Sequence, residues 1–270
     1  MSNSSMTLFF PRHTGRMLIV PPGRVIYGIS LKGSCTMETV YDVLDVLRKR
    51  NLAVLQVTGS APLLRDGDTL ITLFLDFTNS KSRPETVASD LLKLKCIKQV
   101  FILKPVGDLL IDEYHFPLIV GNERVILLSM SWLRAMLRKT REEFGDGVEA
   151  FFYHQGRMLG EAIYDIINEF SRGDRNEFLR LCELFFLVYG MGILRIVEFK
   201  PDIPLIRVRI HHNFECELGK GSGRPYSHLV RGIIAGISSR FLNVKLMAIE
   251  EKCIAKGDPF CEFKVIREEE

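Results

Sequence analysis

The chain has 270 residues, a formal net charge of +3 and 47% hydrophobic residues. This length is enough for two modest domains that bury their cores without disulfide bonds, and the composition excludes a long disordered tail. The small, evenly spread positive charge argues against direct nucleic-acid binding, and no apolar stretch is long and clean enough to cross a bilayer.

The first segment, residues 1–23, is predicted to be a hairpin or an extension, because its apolar residues alternate only weakly. It lacks the charged start and the unbroken apolar core of a secretion signal. We therefore expect a cytoplasmic protein. Scarce glutamine beside plentiful lysine and glutamate is weakly typical of a thermophilic source.

Residues 24–104 are predicted to form a domain with the order strand, helix, strand, strand, helix, strand. The strands VIYGISL, LAVLQVTG, TLITLFLDF and CIKQVFIL are rich in β-branched and apolar residues, and Pro84 suits the first position of the second helix. This βαββαβ order predicts a ferredoxin-like sandwich, with one sheet and two helices on one face. The loop carrying Pro105 and Gly107 is the predicted domain boundary.

This first domain resembles an ACT domain, a regulatory module that often pairs edge to edge and binds amino acids. In ligand-binding members the turn after the first strand carries a Pro-Gly pair. The chain has LKGSCTM there, with Gly33 but no proline. The resemblance therefore implies a homodimer ahead of amino-acid binding, and a ferredoxin-like domain without a ligand is the alternative.

Residues 112–268 are predicted to form a second domain of mixed helices and strands, so the whole chain is expected to be α+β. Ser129 or Ser131 suits a helix cap, and Asp174 begins a capping box that opens a later helix. Gly156 and Gly160 lie one turn apart inside a long helix, where each costs about 1 kcal/mol relative to alanine. We expect another helix or strand to approach the backbone closely at these two glycines.

The run from residue 142 to residue 265 resembles a 4-vinyl reductase domain. The motifs YHQGRMLGEAI, SHLVRGIIAGISS and EEKCIAKGDPFCEF carry this resemblance. It implies a mixed α/β fold that binds small apolar or aromatic molecules. Relatives include the sensor domains of phenol-responsive activators and subunits of the transport-tethering complex.

Cys253 and Cys261 lie at equal distances from Gly257 in the final predicted hairpin. Opposed residues in a hairpin have Cβ atoms about 4.5 to 5.5 Å apart, a spacing that suits two thiolates on one structural zinc ion. The alternatives are a redox-sensitive pair or two buried small hydrophobic residues. Six scattered cysteines do not form the pattern of a secreted disulfide scaffold.

The resemblance also implies the remaining metal ligands. Glu250 matches a glutamate ligand of zinc-binding relatives, whereas Ser227 occupies the position of a ligand cysteine. His228 or Cys216 is expected to replace that cysteine. Strand alternation places residue 251, and not Glu250, on the face of Cys253, so a bulge must redirect Glu250.

By the same resemblance, a ligand is expected between the third helix and the strands that follow it. The corresponding residues are Cys182, Phe185, Phe186, Tyr189, Val208 and Ile210. The histidine and tryptophan that face phenol in relatives align with Cys182 and Ile210. A more apolar ligand than phenol is therefore favoured, because a buried unsatisfied hydroxyl costs about 1 to 3 kcal/mol. Each of these residues alone is equally explained as core.

Signatures of an enzyme are absent from the sequence. It contains no phosphate-cradling glycine loop, no dinucleotide fingerprint and no cysteine beside an activating base. His211 and His212 are neighbours on a predicted strand and so point to opposite faces. We therefore expect a non-enzymatic protein.

The expected function is that of a dimeric sensor or regulator that binds an apolar small molecule and signals through contacts with a protein partner. One alternative is an adaptor or assembly subunit with a filled pocket, and another is a reductase or hydrocarbon-processing enzyme. An enclosed volume of about 300 Å³ or more would favour the sensor over the adaptor.

Overall fold

A computed structural model describes residues 11, 13–34, 37–59 and 68–268. The chain divides into two compact units, Met1–Ile126 and Leu127–Glu270. Residues 112–126, grouped by sequence with the second domain, fall in the first unit. The ranges 1–23, 24–104 and 112–268 stay predictions as domains, and the predicted turn within residues 60–67 lies outside the described residues.

The first unit is built on a four-stranded antiparallel sheet with two helices. Its elements are β1 (Met17–Ile19), β2 (Ile26–Gly33), α1 (Met37–Lys49), β3 (Ala53–Gly59), β4 (Thr69–Asp76), α2 (Pro84–Leu92), β5 (Ile97–Leu103), β6 (Leu109–Ile111), β7 (Leu118–Val120) and β8 (Glu123–Val125). The sheet order is β3-β4-β2-β5, and each neighbouring pair is antiparallel. This is the predicted ferredoxin-like arrangement, so the fold class is confirmed for this unit.

The two faces of this sheet carry different sets of apolar residues, because side chains alternate along a strand. Ile29 and Leu75 face α1 and α2, where they join Leu47 and Leu91 in one core cluster. Phe74 lies on the opposite face in a second, smaller cluster with Leu103 and Leu110.

The N-terminal strand packs on that second face. Met17–Ile19 pairs antiparallel with Leu109–Ile111, in the register Met17↔Ile111. The predicted hairpin within residues 1–23 therefore has a different form in the described part of the segment, because β1 takes its partner from the end of the unit. The strand thereby extends the core around Phe74.

The second unit combines helices with another four-stranded antiparallel sheet. Its elements are α3 (Met130–Leu133), a π-helical stretch (Arg134–Lys139), α4 (Thr140–Phe144), α5 (Gly147–Ser171), α6 (Arg175–Val188), β9 (Ile193–Lys200), β10 (Leu205–His211), α7 (Phe214–Leu218), α8 (His228–Leu242), β11 (Leu246–Lys252), a 3-10 turn (Ile254–Lys256) and β12 (Cys261–Arg267). The sheet order is β11-β12-β10-β9. One core cluster gathers residues from α5, α6, α8 and all four strands.

Local sequence signals account for several helix ends in this unit. The Ser129 side chain accepts a hydrogen bond from the backbone of Trp132 at the start of α3. Asp174 accepts one from the backbone N–H of Glu177, as the predicted capping box requires. Gly190, with φ of +69°, follows the end of α6. These predicted boundaries are confirmed.

Helices α5 and α8 pack along a seam of four glycines, Gly156, Gly160, Gly232 and Gly236. A Cβ atom added at Gly156 would lie 2.1 Å from the carbonyl oxygen of Leu229, and one at Gly160 would lie 2.2 Å from that of Ile233. The predicted close approach is confirmed, and its partner is α8. The backbones touch because no side chain separates them.

Within the part of the chain that the structure describes, no helix has the length and apolar character needed to cross a membrane.

Candidate metal centre and apolar cavity

Four acidic side chains meet at one end of the second unit. Cys216, Glu250, Cys253 and Cys261, here called the thiol cluster, have ligand atoms that all lie within 4.8 Å of one another. The Sγ atoms of Cys216 and Cys253 are 3.3 Å apart, and Cys216 Sγ lies 3.6 Å from Glu250 Oε1. All three cysteines are fully buried.

The final strand pair positions three of these ligands. Lys252 pairs with Glu262, so the next residues of each strand, Cys253 and Cys261, come opposite one another. The pairing of β11 with β12 shifts register between Glu250 and Lys252. This irregularity is the bulge that the sequence required to bring Glu250 to the side of Cys253.

The fourth ligand comes from α7, and a polar chain holds it in place. Asn213 caps α7, and its side-chain amide donates to Ser227 Oγ over 2.7 Å. Ser227 Oγ in turn shares a hydrogen bond of 2.7 Å with Cys216 Sγ. The backbone N–H of Ser227 donates to Glu250 Oε2 over 3.3 Å. Ser227 therefore orients two members of the thiol cluster.

The electrostatics of the thiol cluster favour a cation at its centre. Burial raises the pKa of the Glu250 carboxyl to about 8. Hydrogen bonds to Cys253 and Cys261, together with burial, raise the pKa of the Cys216 thiol, and the hydrogen bond from Cys216 lowers the pKa of Cys253. Negative charge on several members at once is thus costly without a cation, and a divalent ion reverses that cost. Three thiolates and a carboxylate are a donor set that fits zinc.

His228 is not a member of the thiol cluster. Its ring Nε2 lies 3.1 Å from Glu149 Oε2, and burial lowers its pKa to about 4. His228 is the first residue of α8, whose start directs the ring toward α5. Of the two replacements considered for the missing cysteine ligand, the structure brings Cys216 to the site and places His228 elsewhere.

A small apolar cavity lies between α6, the sheet and α8. Its volume is about 40 Å³. Of the predicted ligand-binding residues, Cys182, Phe186 and Val208 line it. The remaining lining residues are Phe178, Leu179, Leu194, Ile196, Ile206, Ile234, Ile237, Ser238 and Phe241. The volume is well below the range of about 300 to 1,000 Å³ that is typical of ligand pockets.

The other three predicted ligand-binding residues do not line this cavity. Phe185 and Tyr189 stack on each other, with ring centroids 5.7 Å apart, and Tyr189 is 41% exposed. They are displaced around α6 from the inward face that carries Cys182 and Phe186. Ile210 is buried farther along β10, where it pairs with Leu194 and Cys261.

Sequence reasoning missed the contribution of α8 to this cavity. Ile234, Ile237 and Phe241 form one face of that helix at spacings of three and four residues. This apolar spacing was a usable signal. It predicts burial, however, and does not say which buried face borders a void.

Comparison with known proteins links this unit to a family. Residues 206–267 match the family model of the 4-vinyl reductase domain. An uncharacterized protein of Methanocaldococcus jannaschii, MJ0150, is 28% identical over 121 residues, covering 45% of this chain and 66% of that protein. A second one, MJ1642, is 31% identical over 81 residues, covering 30% and 48%. The chain thus spans less than two thirds of either relative.

Solved structures give further matches. The phenol-responsive sensory domain of the transcription activator PoxR, determined with phenol, has a TM-score of 0.48 at 16% identity and covers 54% of this chain and 78% of that one. A vinyl-4-reductase family protein of Methanocaldococcus jannaschii has a TM-score of 0.39 at 15% identity, covering 54% and 85%. The ACT domain of GTP pyrophosphokinase of Chlorobium tepidum has a TM-score of 0.25 at 18% identity, covering 30% and 99%. The chain carries a 4-vinyl reductase domain in its C-terminal unit and has an ACT-like N-terminal unit.

Proposed function

We propose that this protein is a regulatory, non-enzymatic protein whose 4-vinyl reductase domain binds a small apolar molecule in the cavity between α6, the sheet and α8. The observation that carries the proposal is the chemistry of the lining. Apart from the Cys182 thiol and the Ser238 hydroxyl, every lining side chain is apolar. An uncharged ligand with few polar groups suits such walls, because a buried hydroxyl without a partner is costly.

The volume of about 40 Å³ means that a ligand must displace side chains to enter. The rings of Phe178 and Phe241 stack at 4.3 Å between centroids with an interplanar angle of 7°, and both line the cavity. They come from α6 and α8. Separation of this stack would enlarge the cavity without breaking a hydrogen bond of either side chain.

The small volume also favours a second candidate, an adaptor or assembly subunit whose pocket is filled by its own side chains. The same lining residues then serve only as core. The two candidates differ in whether the folded protein takes up an apolar probe.

Uptake of N-phenyl-1-naphthylamine, measured by fluorescence, tests the proposal. Phe241→Ala enlarges the cavity, and Phe170→Ala on α5, where the ring is 49% exposed, is the matched control. We expect saturable binding by the parent protein, tighter binding by Phe241→Ala and no change in Phe170→Ala. Binding by the enlarged variant alone, or by neither protein, would support the adaptor. Native mass spectrometry of the purified protein then identifies any carried-over molecule.

We further propose that the thiol cluster holds one structural zinc ion. Cys216, Glu250, Cys253 and Cys261 would supply all four ligands of a tetrahedral site. A closed site of this kind leaves no open position for an activated water, so it stabilises the fold and is not catalytic.

A homodimer in the cytoplasm completes the proposal. Strand β3 lies at an edge of the first sheet, and Val54, Leu55 and Val57 along it are 38%, 42% and 59% exposed. An exposed apolar edge strand is a ready surface for pairing with a second copy. Light scattering at micromolar concentration should give twice the mass of the chain, and a monomer mass would exclude this assembly.

A further inference from the structure

A second pocket of the C-terminal unit is lined by positive charge. It has a volume of about 260 Å³ and lies between the helical stretch around residue 141 and the loop that follows α7. Its charged lining residues are Arg138, Arg141, Lys220, Arg224 and one carboxylate, Glu142. We call it the cationic pocket.

Arg141 is the fixed part of the cationic pocket. The residue is only 4% exposed. Its guanidinium carbon lies 4.7 Å from the centroid of the Phe152 ring and 4.2 Å from that of Tyr226. Such contacts of a cation with two aromatic faces hold the guanidinium in one orientation. A preorganised buried arginine loses little side-chain entropy when an anion binds.

The hydrogen bonds of Arg141 leave part of its capacity unused. One terminal nitrogen donates to Glu215 Oε1 over 2.5 Å, and the other donates to the carbonyl oxygen of Leu137 over 3.2 Å. The Nε–H is buried and, among the described residues, has no partner. Glu215 also accepts from the backbone N–H groups of Leu229 and Val230 at the start of α8. The Glu215 carboxylate is therefore shared between Arg141 and a helix terminus.

The loop from Gly219 to Gly223 supplies a second wall. A Cβ atom at Gly219 would lie 2.3 Å from Tyr226 Cγ, so only glycine lets the loop pack on that ring. Gly221 and Gly223 have φ of +85° and +69°. Alternating backbone handedness of this type turns successive N–H groups toward one concave side and forms an anion-binding nest.

The remaining charges around the cationic pocket are exposed and weakly paired. Lys220 is exposed and forms no ion pair with any carboxylate of the described chain. Arg138 pairs with Glu142, and Arg224 pairs with Asp146 and Glu149. Both arginines are about half exposed, and exposed pairs of this kind are weak. An anion can therefore recruit them from their present partners.

We propose that the cationic pocket binds a phosphoryl anion, either free phosphate or the phosphate group of a small ester. Arg141 provides an oriented guanidinium, Lys220 a free ammonium, and the glycine loop backbone N–H groups. This is the combination that recognises a compact dianion. The glycines of GKGSG do not have the spacing of a nucleotide-binding loop, so no such motif is recognisable in the sequence. The site is separate from the apolar cavity and the thiol cluster, so it stands independently of the proposals for them.

Isothermal titration of the full chain with inorganic phosphate, pyrophosphate and phenyl phosphate, at constant ionic strength, tests this proposal. Lys220→Gln removes one exposed ligand of the anion without touching the buried Arg141–Glu215 pair. Lys245→Gln is the matched control, since Lys245 is 73% exposed and lies outside the pocket. We expect Lys220→Gln to weaken phosphate binding about tenfold, the loss of one charge-assisted hydrogen bond, and Lys245→Gln to leave it unchanged.

The three probes distinguish the source of the phosphoryl group. Tighter binding of phenyl phosphate than of inorganic phosphate indicates an ester ligand, and the reverse order indicates free phosphate. Absence of binding of all three probes up to about 10 mM, which corresponds to less than about 3 kcal/mol of affinity, would overturn the proposal. Equal weakening by the two lysine variants would also overturn it, because that result reflects general charge attraction.

Discussion

The glycine seam between α5 and α8 and the thiol cluster lie in the same unit, yet they are stabilised in opposite ways. At the seam, two backbones touch with no polar side chain between them. In the thiol cluster, three buried cysteines and Glu250 crowd their acidic atoms within 4.8 Å. The seam is complete within the polypeptide, whereas the cluster requires a cation to balance its ligands.

This difference determines how each region should fail. Added volume disrupts the seam, because the neighbouring backbone cannot move without displacing a helix. The thiol cluster should tolerate conservative changes of volume but not the loss of a ligand or of the ion. Substitution, chelation and pH therefore separate the two regions.

The largest effect is expected at the seam. In Gly160→Leu, the new Cβ would lie 2.2 Å from the carbonyl oxygen of Ile233. We expect the free energy of unfolding to fall by about 3 kcal/mol or more, through overpacking and displacement of α8. Denaturant titration measures this. Gly147→Leu at the start of the same helix, where an added Cβ has no neighbour within 4 Å, should change stability little. Equal stability of the two variants would refute the seam.

Loss of the ion comes next in size. A zinc chelator should lower the melting temperature of the parent protein by about 10 °C, because metal-binding free energy adds to folding free energy. Cys253→Ser should melt low with or without chelator. Cys96→Ser, which changes a cysteine of the other unit, should respond to chelator as the parent does. A parent protein that ignores chelator but melts lower in reductant would favour the disulfide alternative.

The pH dependence of the metal-free protein should be smaller but has a definite sign. Burial raises the pKa of Glu250 from 4.5 to about 8, so between these values the folded state binds more protons than the unfolded state. Stability should therefore fall as pH rises through this window. In chelator, the melting temperature of Glu250→Gln relative to the parent should increase from pH 5 to pH 8. A flat difference would contradict a buried carboxyl without a cation.

With zinc present the trend should reverse, since metal binding displaces protons from the ligands and strengthens as pH rises. The stabilisation of the parent by zinc should therefore grow between pH 5 and pH 8. Zinc stabilisation that is independent of pH would indicate ligands other than the thiol cluster.

The smallest effect is expected for His228→Gln. His228 contacts Glu149 and lies outside the thiol cluster, so zinc content should stay unchanged. Burial lowers the pKa of His228 to about 4, and the ring is neutral near pH 7. Its loss should cost about 1 kcal/mol, the value of one hydrogen bond between partly buried groups. Loss of zinc in this variant would return His228 to the metal site.

Features encoded within one element were predictable from the sequence. The βαββαβ order, the cap at Asp174 and the paired glycines of α5 depend on short spacings, and the structure confirms them. Glu250, Cys253 and Cys261 lie within one hairpin, so their convergence followed from strand pairing and a bulge.

Features assembled from distant segments were not predictable. The choice between Cys216 and His228 depends on how α7 and the start of α8 are oriented, which no local spacing fixes. The cationic pocket joins Arg141 to Lys220, and neither residue stands in a recognisable motif. The cavity volume depends on how closely Phe178 and Phe241 stack, and that distance is a property of the packed core.

Native mass spectrometry of the full chain, compared with its denatured mass, tests the central contrast most directly. If the thiol cluster is completed by an ion, the folded chain should carry one zinc that is lost on denaturation and is absent from Cys253→Ser. The Gly160→Leu variant, if folded, should keep its zinc. A folded parent chain with the mass of the bare polypeptide would contradict the account.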